Sequence, residues 1–175
     1  AGAAALEAAA RACRAAGAQV IDIELAEPFA DALAAHDVVM TYEASRMLAF
    51  ERTRHWDALS PALQDVVRRG WETPRVTYEA ALSTRAACRR TFGQAFAEVD
   101  VLLTPSAPGE APEGLDFTGA PEFNRIWTFV GAPCVTVPGL TGPAGLPVGV
   151  QLIAGLGHDD DAIAAAGWLR PLLQS

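Results

Sequence analysis

An α/β fold is predicted by three features of this 175-residue sequence. Ala3–Leu25 reads as helix, glycine, strand. Three short β-type runs, Val99–Thr104, Cys134–Val137 and Val148–Ala154, lie further on, among eight of the twelve prolines and most of the glycines. Helical periodicity fills most of the remainder, including the end of the chain. Helices flanking a sheet, with Gly/Pro-shaped loops at the strand ends, are how α/β proteins build the rim of a pocket.

Each element has its own signal. Ala3–Ala16 is mostly alanine, the best helix former, and Gly17 is a natural stop just past it. Gln19–Leu25 (QVIDIEL) alternates apolar and polar from Ile21 onward, the pattern of a strand near a sheet edge. Pro28 opens a helix predicted to run from Phe29 to about Arg52, with Leu33, His36 or Asp37, Met40, Ala44 and Met47 or Leu48 as its apolar stripe. Ser60 caps a short helix with Pro61 in its first position, ending near Gly70. Thr73-Pro74 repeats that start signal for a helix to about Glu98, with a stripe of Tyr78, Leu82, Ala86, Phe92, Phe96 and Val99. Ala120–Val130 is a short helix between the first two β-type runs. His158 and Asp159–Asp161 precede a final helix to about Leu173, the acids complementing its N-terminal dipole. The chain is expected to be part of a single domain over 1–175: residues 1–98 mostly helical with one strand, residues 99–175 supplying strands, a pocket-wall loop and the terminal helix.

Composition narrows the function. The formal net charge is −8, and all 13 basic residues are arginine; there is no lysine. An acidic surface disfavours nucleic acid and anionic membranes as partners. Cys13, Cys88 and Cys134 are odd in number and widely spaced, which fits reduced thiols and a cytoplasmic location. No apolar run approaches the length of a membrane span. The alanine-rich start reads as a helix entered part-way along, as if the chain were cut from something longer.

Few constellations could carry chemistry. His158 and the three aspartates after it point in different directions at a helix start, so no metal and no cofactor is expected. Each cysteine reads as a small hydrophobe, Cys134 within a buried strand. None of the serines lies in GxSxG, and no Gly-Gly pair shapes an oxyanion loop. Ser106, just past the strand end LLTP, stands at the kind of place where sites form; its plainer role is a loop hydroxyl bonding its own backbone. Glu43 could be a buried carboxylate, though an exposed or Arg46-facing one is the plainer reading. Phe117, Phe123, Trp127 and Phe129, with Asn124 and Thr128 among them, have a composition that fits a small-molecule pocket and an ordinary core edge equally well.

Four segments occur in order: Asp100-Val101-Leu102-Leu103-Thr104-Pro105-Ser106, Phe123–Thr128 (FNRIWT), Gly131–Pro138 (GAPCVTVP) and Gly145–Ile153 (GLPVGVQLI). Together they make the chain resemble the C-terminal part of the amidase signature family of serine hydrolases, with weaker similarity in Tyr42-Glu43 and in the helix leading to Val99. The resemblance implies the C-terminal part of an α/β/α fold, a mixed sheet flanked by helices. It implies hydrolysis of a carboxamide C–N bond by a Ser–Ser–Lys triad and a Gly/Ser-rich oxyanion loop, all upstream of the matched segments. This sequence has no lysine, no Gly-Gly-Ser-Ser loop and no paired serines, so no catalytic residue is carried over and the chain by itself is expected to be inactive. Ser106, Phe123, Trp127 and Thr128, in the Pro105–Thr128 loop, are the expected substrate-binding residues; many family members have Asn at the position of Thr128. The implied partners are a small-molecule amide and the N-terminal catalytic part. A truncated sheet would also leave the chain open to self-association. Two alternatives stand beside this reading: the amide-hydrolysing component of a glutaminyl- or asparaginyl-tRNA amidotransferase, and a non-catalytic binding piece of the same fold.

Overall fold

The computed structural model describes residues 1–174. Seven α-helices appear in it: α1 (Gly2–Ala15), α2 (Ala32–Met47), α3 (Ala49–Arg54), α4 (Pro61–Glu72), α5 (Arg75–Phe92), α6 (Glu122–Val130) and α7 (Asp159–Leu172). Three strands accompany them: β1 (Leu102–Pro105), β2 (Cys134–Thr141) and β3 (Pro147–Ile153). The chain divides into two compact units, Ala1–Ala26 with Thr91–Ser175, and Glu27–Arg90.

The first unit is an α/β layer, as the sequence predicts. Its sheet has the order β1-β3-β2, and among the described residues both pairings are antiparallel. Leu102 and Cys134 both face Ile153 across β3. Alternation along β3 separates the two faces. Val148, Val150 and Leu152 join Val137 against Ala5, Ala9 and Cys13 of α1 and Ala166 and Leu169 of α7. The α1 residues recur every fourth position and are small, so one narrow stripe of the helix lies close on the sheet. Gly149, Gln151 and Ile153 face the other way. β2 shifts register between Pro138 and Leu140, at Gly139, whose φ of 141° only glycine adopts easily. A Cβ there would stand 2.9 Å from that of Leu173, so the irregularity also lets the chain end pass close to the sheet.

Gln19–Leu25 is not a strand. No ladder forms along it among the described residues, although its sidedness is as predicted: Ile21, Ile23 and Leu25 are half-buried while Asp22 and Glu24 are exposed. Period-two burial needs only a surface on one side, whereas a strand needs a neighbour to exchange hydrogen bonds with.

The second unit is helical. Ser60 caps α4 through the Leu63 amide (3.3 Å), with Pro61 at the first position, as expected. The long helix expected over Phe29–Arg52 instead has a 3₁₀ turn at Glu27–Asp31 and a break at Leu48 between α2 and α3. Its expected stripe is also displaced. Ala32, Ala35, Val39, Thr41 and Ser45 are buried, while Leu33, Met40 and Met47 are exposed. The cause is the crossing with α4, where a methyl group on Gly70 would overlap the Thr41 carbonyl. Backbones that close admit only small residues between them. On α5 the buried positions are Ala81, Cys88 and Phe92; Ala86, expected inside, is exposed, and the helix ends at Phe92 with a 3₁₀ turn at Gly93–Phe96.

Candidate substrate-pocket wall

The sharpest polar arrangement lies where β1 ends. The backbone N–H and the hydroxyl of Ser106 both donate to the Gly149 carbonyl, at 3.3 and 2.8 Å. Gly149 permits this approach: a Cβ there would lie 3.2 Å from Ser106 Oγ and 3.1 Å from the Val137 carbonyl oxygen. The bond runs to a neighbouring strand and not to the serine's own backbone, so the hydroxyl extends the β1–β3 pairing by one residue.

Gln151 ties this strand end to α6. Its side chain is 1% exposed, and Nε2 donates to the Pro105 carbonyl (3.1 Å) and to the Phe123 carbonyl (2.6 Å). Asn124 closes the corner by donating from Nδ2 to the Ser106 carbonyl (3.1 Å). Pro121 starts the helix by accepting from the amides of Asn124 and Arg125, and Gly131, at φ 76°, ends it. Thus Ser106, Phe123, Asn124 and Gln151 meet in one corner held by side-chain-to-backbone bonds.

The other two expected substrate-binding residues lie elsewhere. Trp127 is 7% exposed and packs against Phe92, with ring centres 6.1 Å apart and planes tilted by 40°. Thr128 is exposed, a further turn of about 100° around α6. Of the remaining aromatics, Phe129 is buried and Phe117 is 60% exposed in the loop before α6.

Two residues that matter here received no role from the sequence. Gln151 is a lone amide in the otherwise apolar run VGVQLIA, and a buried amide must find partners, so its position in that run was a usable signal. Glu110 had no such signal: its carboxylate accepts from the Ala144 and Leu146 amides in the β2–β3 turn, distant in sequence.

A groove of about 1030 Å³ opens beside the edge of β1 that has no strand neighbour among the described residues. Leu6, Ile21, Ile23, Val101, Leu103, Trp127 and Trp168 give it a mainly apolar lining, with Glu7, Arg11, Arg14 and Asp100 among the charged residues beside them. Residues 19–23 and Leu25 also line it, so the apolar positions of this segment have a surface to face without a ladder.

His158 Nδ1 lies 2.8 Å from Asp161 Oδ2 at the start of α7, and no group of three metal-binding side chains occurs among the described residues. Cys13 and Cys88 are buried, and burial raises both thiols. Cys134, expected in a buried strand, occupies an exposed position on β2; desolvation of its sulfur still pushes the thiol up to about 11, so it holds its proton at neutral pH. Glu43 is exposed and accepts from the Tyr78 hydroxyl at 2.9 Å, which raises the tyrosine above its usual range.

The profile of the Amidase family matches residues 2–162. The chain belongs to the amidase signature family. Among curated relatives, a glutamyl-tRNA(Gln) amidotransferase subunit from Granulibacter bethesdensis is 32% identical over 87% of this chain and 36% of its own length. The corresponding protein of Synechococcus sp. (strain WH7803) is 41% identical over 43% of the chain and 17% of its own. The chain therefore spans about a third of the length of the first of these relatives. In fold, the amidase match extends to a solved amidase at a TM-score of 0.87 and 24% identity, covering 97% of this chain and 41% of that one. A 6-aminohexanoate cyclic dimer hydrolase follows at a TM-score of 0.74 and 22% identity, covering 99% and 41%. At such identities the structural likeness speaks for the amidase fold alone.

Proposed function

We propose that this chain is the C-terminal, wall-forming part of an amide hydrolase whose nucleophile is supplied by another segment. The family match over residues 2–162 carries the reading. It is sharpened by the sequence itself, which has no lysine and no paired serines to serve as base and nucleophile. In the whole enzyme a serine would attack the amide carbonyl and expel ammonia or an amine, and water would then release the acid. The corner of Ser106, Phe123, Asn124 and Gln151 would hold the loop after β1 rigid, so that Phe123 and the residues before it wall the pocket. Trp127 would back that wall from the core, and Thr128 would stand at its open side.

The catalytic segment would seat along the free edge of β1 and in the apolar groove beside it. Residues 19–25 support this. They already show strand-like sidedness, and a neighbouring chain could satisfy their backbone. Among the described residues, no helix is long and apolar enough to cross a membrane. Three cysteines, odd in number, widely spaced and without a CxxC pair, support a cytoplasmic location, which we propose.

A second reading rests on the names of the curated relatives: the hydrolase would deliver ammonia within a tRNA-dependent amidotransferase. Ammonia release from simple carboxamides tests the two together. The chain expressed alone should show none. The chain continuous with a segment bearing a lysine and a Gly/Ser-rich loop should hydrolyse amides. Turnover by the purified 175-residue chain, with contaminants excluded, would overturn the proposal. Ammonia production only in the presence of a charged tRNA and further subunits would select the second reading.

A further inference from the structure

The loop between β1 and α6 is not uniform. Its first part is fastened three ways. Ser106 bonds Gly149. The Pro108 carbonyl accepts from the Gly2 amide at 3.1 Å. Glu110 reaches the β2–β3 turn, where its Oε1 accepts from Leu146 (2.8 Å) and Ala144 (3.0 Å) and its Oε2 from Ala144 (3.1 Å). The turn is shaped for this carboxylate. Gly142 lies against it so closely that a Cβ would overlap the carboxyl group. Gly145, at φ 85°, lets the chain fold back so that the two amides converge. Convergent backbone N–H groups around a carboxylate make charge-assisted bonds, stronger than bonds between neutral groups.

The second part of the loop has a different character. Gly114 (φ 89°) and Gly119 (φ 98°) bracket a tip in which Leu115 is 98% exposed and Phe117 is 60% exposed. Beyond the tip, Gln151 holds the loop again through Phe123. The apolar tip thus hangs between two fixed points, Glu110 on one side and the Gln151 corner on the other.

We propose that Glu110 is a positioning residue: it staples the base of the loop to the β2–β3 turn and thereby presents Leu115 and Phe117 to the apolar part of an amide substrate. The substrate role rests on the hydrolase reading above; the staple itself does not. Two variants and two readouts test it. In the 175-residue chain, Glu110→Ala should speed amide hydrogen exchange at Ala144 and Leu146 by about tenfold, through loss of the local closing bonds. Glu110→Gln, which keeps one acceptor oxygen, should fall between wild type and alanine. Exchange at β3 amides should stay as in wild type, showing that the sheet is intact.

In the assembled hydrolase, Glu110→Ala should raise KM for a phenyl-bearing amide by about tenfold with kcat unchanged, as expected when uniform binding is lost. KM for acetamide should not move, and Glu110→Gln should restore part of the loss. Unchanged exchange at Ala144 and Leu146 in the alanine variant would overturn the staple. Faster exchange with equal KM for both substrates in wild type and variant would overturn the presentation of the tip. An assembled wild-type protein that hydrolyses no amide would count against the hydrolase reading, and the exchange rates would still decide the staple.

Discussion

A single amide side chain decides how the candidate wall is held. Gln151 is the one polar side chain along β3, set between Thr104 and Thr136 on the flanking strands, and its Nε2 is used twice, once on each side of the loop it spans. Substituting Gln151→Leu would fill the space but strip two backbone carbonyls of a partner. The Pro105 carbonyl would keep the Thr104 hydroxyl (3.3 Å), which leaves the Phe123 carbonyl without its amide donor; losing one such partner costs about 1–3 kcal/mol, and the variant should lose about that much stability. Urea unfolding would show this as a lower midpoint with an unchanged slope. A midpoint equal to that of wild type would mean that water or another group replaces the amide and that Gln151 is not the clamp. Ser106 makes the complementary point. A serine at a strand end invites a catalytic interpretation, but its hydroxyl is directed at the Gly149 carbonyl, where it lengthens a β-ladder. Residue type and place in the sequence could not separate these roles; the acceptor, forty-three residues away, does.

At the scale of elements, Gly70 is where the second unit is most tightly constrained. Two helices cross there with no room for a methyl group, so Gly70→Ala must push α2 and α4 apart and disturb the bond from Arg46 to the Gly70 carbonyl (2.6 Å). Overpacking of this kind costs about 1–3 kcal/mol, and thermal melting should fall accordingly, whereas Gly93→Ala, at a position facing open space, should be close to neutral. Equal melting temperatures for the two variants would refute the tight crossing. The same crossing explains where the sequence was readable and where it was not. The start of α4 was legible because Ser60 and Pro61 act locally, and the strands near Leu102, Cys134 and Val148 were legible because short apolar runs bounded by Gly and Pro have few other uses. The buried face of α2 was not. Leu33, Met40 and Met47 recur every seven residues and are the largest apolar groups on the helix, but the face that is buried is the one small enough to meet Gly70. Gln19–Leu25 failed for the opposite reason: its alternation is real, but pairing belongs to the neighbour and not to the segment. The corner at Ser106 was half visible. Phe123 and Asn124 stood out as an aromatic and an amide in a short predicted helix, while Glu110 and Gln151 act through contacts that only the fold brings together.

For the whole molecule, the balance of surfaces governs behaviour in solution. The first unit carries an apolar groove of about 1030 Å³ beside a strand whose outer edge has no neighbour among the described residues. β1 is only four residues long, and Pro105 at its end donates no hydrogen bond, so the edge is a modest template by itself. The groove adds the apolar area that a bare edge lacks, and a second copy could lay residues 19–25 along it. Opposing this is a net charge of −8, which at low ionic strength repels like copies. Salt should therefore decide the outcome: screening the charge leaves the apolar contact, since the Debye length falls to about 3 Å at 1 M salt. Light scattering on the 175-residue chain should give a mass that rises with protein concentration, more steeply at high salt than at low. Ile21→Glu together with Leu103→Glu, which place charge in the groove, should abolish that rise without moving the far-ultraviolet helix signal. A strictly monomeric chain at high salt and high concentration would show that the groove is not sticky enough to recruit a copy. A rise that persists in the double variant would move the contact to another surface, such as the exposed stripe of Leu33, Met40 and Met47.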